Sequence, residues 1–100
     1  MRYREERFKR LQDAAQSGDL EAQYELGLAY FFGKMGLKED ISQGIAWLKE
    51  AGMAGYEKAQ KKLIDIIPDN YINDSDIIHW LFLYDRSRYD RLCAIHQMMM

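Results

Sequence analysis

The sequence predicts an all-α protein, a short superhelical stack of about five helices arranged as hairpins. Three observations carry that expectation. Shifted against itself by 37 positions, the chain sets Phe8 on Ile45, Leu11 on Leu48, Ala14 on Ala51 and Gly18 on Gly55. The run continues with Ala22 on Ala59, Gln23 on Gln60 and Leu26 on Leu63. Like meets like at every third or fourth step, the spacing of one helix face. A period in the thirties belongs to helical hairpins that bury a face only by stacking on the next unit. Second, strong helix formers dominate the composition, and the 100 residues include a single proline. Third, the stretch LGLAYFFGKMGLKEDISQGIAWLKEAGMAG sets Gly and Ala among single large aromatics.

Local chemistry places each element. A first helix runs from about Tyr3 to Gln16, with Phe8, Leu11, Ala14 and Ala15 on one face. SGDLE then supplies a stop glycine, Asp19 as a cap and Glu21 in the next first turn. The second helix, about Leu20 to Phe32, ends at Gly33, and GKMG with the following KED forms a loop. Asp40 or Ser42 caps a third helix that reaches about Met53. Gly55 separates it from a fourth, Glu57 to Ile67, which Pro68 and the turn-forming Asp69-Asn70 end. Asp74 to Asp76 cap a fifth helix to about Arg86, with a short helical tail beyond. Small residues at Ala22, Gly27, Gly44, Ala51 and Gly55 let backbones approach, while Tyr30 and Trp47 fill the spaces between helices. Gly27 sits within a helix at a cost of about 1 kcal/mol relative to alanine, so close packing is expected to offset it.

These residues resemble the Sel-one-like repeat, a relative of the tetratricopeptide repeat. Its pattern is met by Ala22, Leu26, Gly27, Tyr30, Gly33, Gly36, Asp40, Trp47, Ala51 and Gly55. The loop is one residue longer than the family's usual unit, and Gly44 stands where alanine is common. The resemblance implies a tetratricopeptide-like α/α superhelix in a single domain, residues 1–100. Residues 1–18 form an N-terminal capping half repeat, 20–55 a full repeat and 56–68 the first helix of a second. Residues 74–97 are a divergent C-terminal helix and tail. It also implies a non-catalytic binding scaffold.

Other chemistry finds little support. His79 and His96 lie 17 apart, outside any zinc spacing. Cys93 and His96, at i and i+3, read better as a buried thiol near a frayed tail than as a metal pair. Asp65, Asp69, Asp74 and Asp76 fit turns and caps rather than a calcium loop. GLAYFFGKMG lacks the ending and the preceding strand of a phosphate loop. No metal, cofactor or enzymatic activity is expected. Lys58 to Lys62, with Arg86, Arg88 and Arg91 beside Tyr84 and Tyr89, read as solvated faces balanced by Glu57, Asp85 and Asp90. With 14 basic against 16 acidic residues, a nucleic-acid partner is not expected. The charged start, the absence of an apolar membrane-length run and the lone cysteine point to a cytoplasmic chain without a membrane partner.

Two apolar surfaces remain. On the second helix Tyr24, Leu28 and Phe31 are expected to line a concave, partner-binding side, with Phe32 nearby and Lys58, Lys61 and Asp65 as a polar rim. In IIHWLFLY, Ile77, Leu81 and Tyr84 face the repeat. Ile78, Trp80, Phe82 and Leu83 are left for self-association as a homodimer, or for another protein. Met98 to Met100 form a tail. The expected function is an adaptor or regulator binding a protein or peptide. The alternative is an immunity protein that occludes a toxin or enzyme.

Overall fold

A computed structural model describes residues 2–99, with side chains from 6 to 94. His96 and Met98 to Met100 therefore lie outside the described side chains. Six α-helices follow one another: α1 (Arg2–Gln16), α2 (Leu20–Phe32), α3 (Ile41–Met53), α4 (Glu57–Ile66), α5 (Ser75–Tyr84) and α6 (Arg86–Met99). A 3-10 turn, Asp69–Tyr71, lies between α4 and α5, and the described residues include no strand. Each helix packs chiefly on its neighbours in sequence. The result is an elongated stack of 53 × 25 × 17 Å, the form expected of hairpins that bury their faces serially.

The caps are those the sequence suggests. The Asp19 carboxylate accepts from the Ala22 N–H at 3.1 Å and that of Asp40 from the Gln43 N–H at 3.0 Å. Asp74 accepts from the Asp76 N–H at 2.8 Å. Each satisfies a donor that the first helical turn leaves without an internal partner. Gly33 ends α2 with φ +68 and its N–H on the Ala29 and Tyr30 carbonyls, a left-handed stop that glycine adopts without steric cost.

Two buried clusters hold the stack. Ala15, Ala22 and Leu26 form one, with Phe8, Leu11, Tyr30 and Trp47 against it. The larger joins Leu48, Ala51 and Ala59 to Leu63, Ile77, Trp80 and Leu81. Between them lies the crossing of α2 and α3, which bring Leu26 to one cluster and Leu48 to the other. An added Cβ at Gly44 would lie 2.8 Å from the Gly27 carbonyl oxygen and 2.6 Å from the Phe31 Cβ. At Gly27 it would lie 2.8 Å from the Leu48 Cγ. The mid-helix glycines are thus facing halves of one contact, and that contact offsets their propensity cost. Gly52 makes a third close approach, where the edge of the Trp80 indole fills the space of a missing Cβ at 2.8 Å.

The last hairpin differs from expectation. The tail is not short: α6 spans 14 residues and is separate from α5, which stops at Tyr84 because Asp85 leaves helical geometry at φ −145. Arg88, grouped by sequence with the solvated basic residues, is largely withdrawn from solvent. Its guanidinium donates to the Ile64 carbonyl at 2.9 Å, the Ile67 carbonyl at 2.6 Å and the Asp69 carboxylate at 2.9 Å. It thereby satisfies carbonyls at the C-terminal end of α4 and ties α6 to them. Lys49 on α3 similarly pairs with Asp74, and holds its carboxyl below the usual carboxylate range.

Candidate functional site

The outward side of α2 is a stripe at helical spacing: Glu21, Tyr24, Glu25, Leu28 and Phe32 are exposed or half-buried, and their neighbours on α2 are mostly buried. Around this stripe the structure places the residues expected to bind a partner, and it divides them. Tyr24 and Lys58 come together, with the ammonium 4.9 Å above the ring and Tyr56 edge-on at 5.9 Å. Glu21 closes that cluster, accepting from the Tyr56 hydroxyl and lying 3.6 Å from Lys58. Leu28 is half-buried on the same face. Lys61 lies further along, 5.5 Å above Tyr84 and paired with Glu57 at 3.4 Å.

Phe31 is placed elsewhere. It is 8% exposed and packs over Gly44, and Phe32 at 46% stands on the open stripe instead. The two lie on either side of Leu28 in helical angle, so spacing alone does not separate them. What separates them is the α2–α3 crossing, which draws position 31 inward to cover the missing side chain of Gly44.

Beside the stripe, α1, α2 and the loop after α2 enclose an open-sided groove of about 560 Å³. Leu11, Leu28, Ala29 and Met35 give it an apolar lining, with Arg7, Arg10, Lys34 and Glu25 as its charged groups. The sequence reading missed this groove. The available signal was the longer loop, GKMG, whose two central residues both line it. In that loop Met35 has φ +57, a left-handed conformation rare outside glycine, between Gly33 and Gly36 at +68 and +79.

On α5, Ile78, Phe82 and Leu83 are exposed at 38, 40 and 52%. Trp80, grouped with them on sequence, lies in the core at 5%, against the bare backbone of Gly52. Phe82 is partly roofed by the Arg86 guanidinium at 4.2 Å and meets the Tyr89 ring at 5.2 Å. Among the described residues, no three His, Cys, Asp or Glu side chains converge as a metal site would require, and no helix is long and apolar enough to cross a membrane.

Comparison with known proteins agrees with this architecture. Residues 20–56, which span α2, the loop and α3, match the model of the family described as Sel1 repeat. The chain is also similar to a curated protein of Arabidopsis thaliana, the ERAD-associated E3 ubiquitin-protein ligase component HRD3A. The two are 34% identical over 62 residues, which cover 62% of this chain and 9% of that protein. No solved structure gives a significant match.

Proposed function

We propose, from a chain whose residues 20–56 form a Sel1 repeat, that it is a non-catalytic adaptor or regulator whose α2–α4 face holds a partner protein or peptide. Such repeats generally serve as protein-interaction modules, and the relative, by its name, is a component of a larger ligase assembly. The observation that carries the reading is the outward stripe of α2. Phe32 is exposed, and Tyr24 and Leu28 are half-buried against the larger core cluster with part of each surface still open, along one helix held by the Gly27–Gly44 crossing. Aromatic anchors on a rigid surface bind with little conformational entropy to lose, and Lys58 and Lys61 set the polar edge.

Site-directed photo-crosslinking tests it. A photoreactive phenylalanine at position 28 is expected to capture one defined protein in the native host, and the same group at the exposed position 50 is not. Equal capture from both positions, or none from 28, would overturn the assignment.

The exposed Ile78, Phe82 and Leu83 are proposed as a self-association face, giving a homodimer that leaves the α2 stripe free. Solution mass at two concentrations is expected to report a dimer for the wild type and a monomer for Phe82→Asp. Phe82 is far enough from full burial for the charge to be tolerated in the folded protomer. A monomeric wild type at both concentrations removes the homodimer.

A further inference from the structure

The partner's chemistry can be taken further, on the premise that the chain binds protein. We propose that the groove between α1, α2 and the loop after α2 receives an acidic peptide segment carrying one large apolar side chain.

Charge is the first argument. Arg7, Arg10 and Lys34 line the groove against a single carboxylate, Glu25. The groove is therefore locally basic on a chain whose net charge is −2. Five cations outside the groove, Lys49, Lys58, Lys61, Arg86 and Arg88, each face a carboxylate within an ion pair. Lys9, Lys38, Lys62 and Arg91 stand singly on exposed or half-buried faces and are not gathered around that concavity. Among the described residues Arg7, Arg10 and Lys34 have no such pair. Three cations gathered around one concavity favour a carboxylate-rich occupant and raise its association rate.

Shape and lining are the second. At about 560 Å³ the groove lies within the range of sites that enclose a ligand group. Leu11, Leu28 and Met35 give it an apolar floor. A phosphate backbone has no use for that floor, and a large aliphatic or aromatic side chain does. Leu28 is common to the groove and to the outward stripe of α2, so one peptide can occupy both.

The loop supplies the third. GKMG holds Met35 in a left-handed conformation where glycine would be free of strain. A bulky, flexible thioether kept at such a position gains nothing for the turn itself. It gains a place on the groove wall, and backbone strain of this kind collects at ligand clamps. Lys34, the preceding residue, is steadied 5.4 Å from the Phe32 ring with its ammonium at the rim.

A phage-displayed library of random twelve-residue peptides, panned against the full chain, tests the proposal, followed by fluorescence anisotropy on a labelled enriched peptide. Enriched sequences are expected to carry several Asp or Glu around a Leu, Phe or Trp. Their affinity is expected to fall at least roughly tenfold with Arg7→Glu combined with Arg10→Glu, and to weaken between about 0.05 and 0.5 M salt. Met35→Gly relieves the strained backbone, so it is expected to keep the helical circular dichroism and melting curve while weakening the peptide severalfold. Enrichment without acidic bias, no enrichment, or affinity indifferent to these folded variants would each overturn the groove assignment. A peptide lost with Tyr24→Ala but not with the groove variants overturns the groove while leaving protein binding on α2 intact. Failure of capture from position 28 strikes the premise itself.

Discussion

Replacing Gly44 by alanine is expected to destabilise the chain by about 2 kcal/mol, roughly 10 °C in melting temperature for a domain of this length. The sign is opposite to helix propensity, by which alanine gains about 1 kcal/mol over glycine inside a helix. Packing wins because of what the new methyl group meets. It would sit 2.6 to 2.8 Å from the Phe31 Cα and Cβ and from the Gly27 carbonyl oxygen, mostly backbone that no rotamer change can move. The two helices must part, and forced overpacking of this kind costs about 1 to 3 kcal/mol, here toward the upper end. Gly52→Ala is the matched control, in the same helix with the same gain in propensity. Its Cβ meets side-chain atoms of Trp80 and Gln60 and no backbone, so the helices need not part. Trp80 is core-buried at 5% and must give way, and a smaller loss of about 1 kcal/mol is expected. Thermal unfolding followed by circular dichroism decides the matter. A Gly44→Ala protein as stable as the wild type would show that α2 and α3 are not held by this close approach.

The same crossing explains how much of the molecule was legible in its sequence. Periodicity, caps and stop glycines locate the helices to within a residue or two at most ends, because each depends on contacts within a few positions. The small-residue code at Gly27 and Gly44 was equally readable, since backbone approach leaves a compositional trace. Side-chain direction was not. Phe31 and Phe32 are interchangeable by spacing, and only the three-dimensional crossing chooses between them. Trp80 fits an exposed stripe in sequence, but Gly52, 28 positions earlier, makes a pocket for it. The basic residues behaved likewise. Arg88 and Arg91 look alike along the chain, yet only Arg88 reaches the end of α4, and that reach depends on the turn made at Asp85. Residues whose roles are set by distant partners are the ones that sequence alone leaves unresolved.

Arg88→Met is expected to unfasten α6 while leaving the α2–α3 hairpin folded. The guanidinium reaches three acceptors, the carbonyls of Ile64 and Ile67 and the Asp69 carboxylate, the last from two of its nitrogens. Asp69 is 60% exposed, so the ion pair itself contributes little, and Asp69→Asn is expected to cost under about 1 kcal/mol. The carbonyls matter more. Bonds from a charged donor contribute about 1.5 to 3 kcal/mol each when both partners are desolvated, and acceptors left without a partner lose their share. Allowing for water reaching the freed carbonyls, a loss of about 2 kcal/mol is expected, equivalent to roughly thirtyfold in a local equilibrium. In a stack where each helix rests on its neighbours, such a loss stays local rather than spreading to every unit. Amide hydrogen exchange should therefore quicken by about that factor over residues 86–94 and remain near wild type in α2 and α3. Arg88→Lys keeps the charge but not the fork that spans separate acceptors, so it is expected to recover only part of the protection. A uniform loss of protection along the chain would mean that α6 is integral to one cooperative unit. An unchanged α6 would mean that its packing on α5, not the Arg88 bridge, holds it in place.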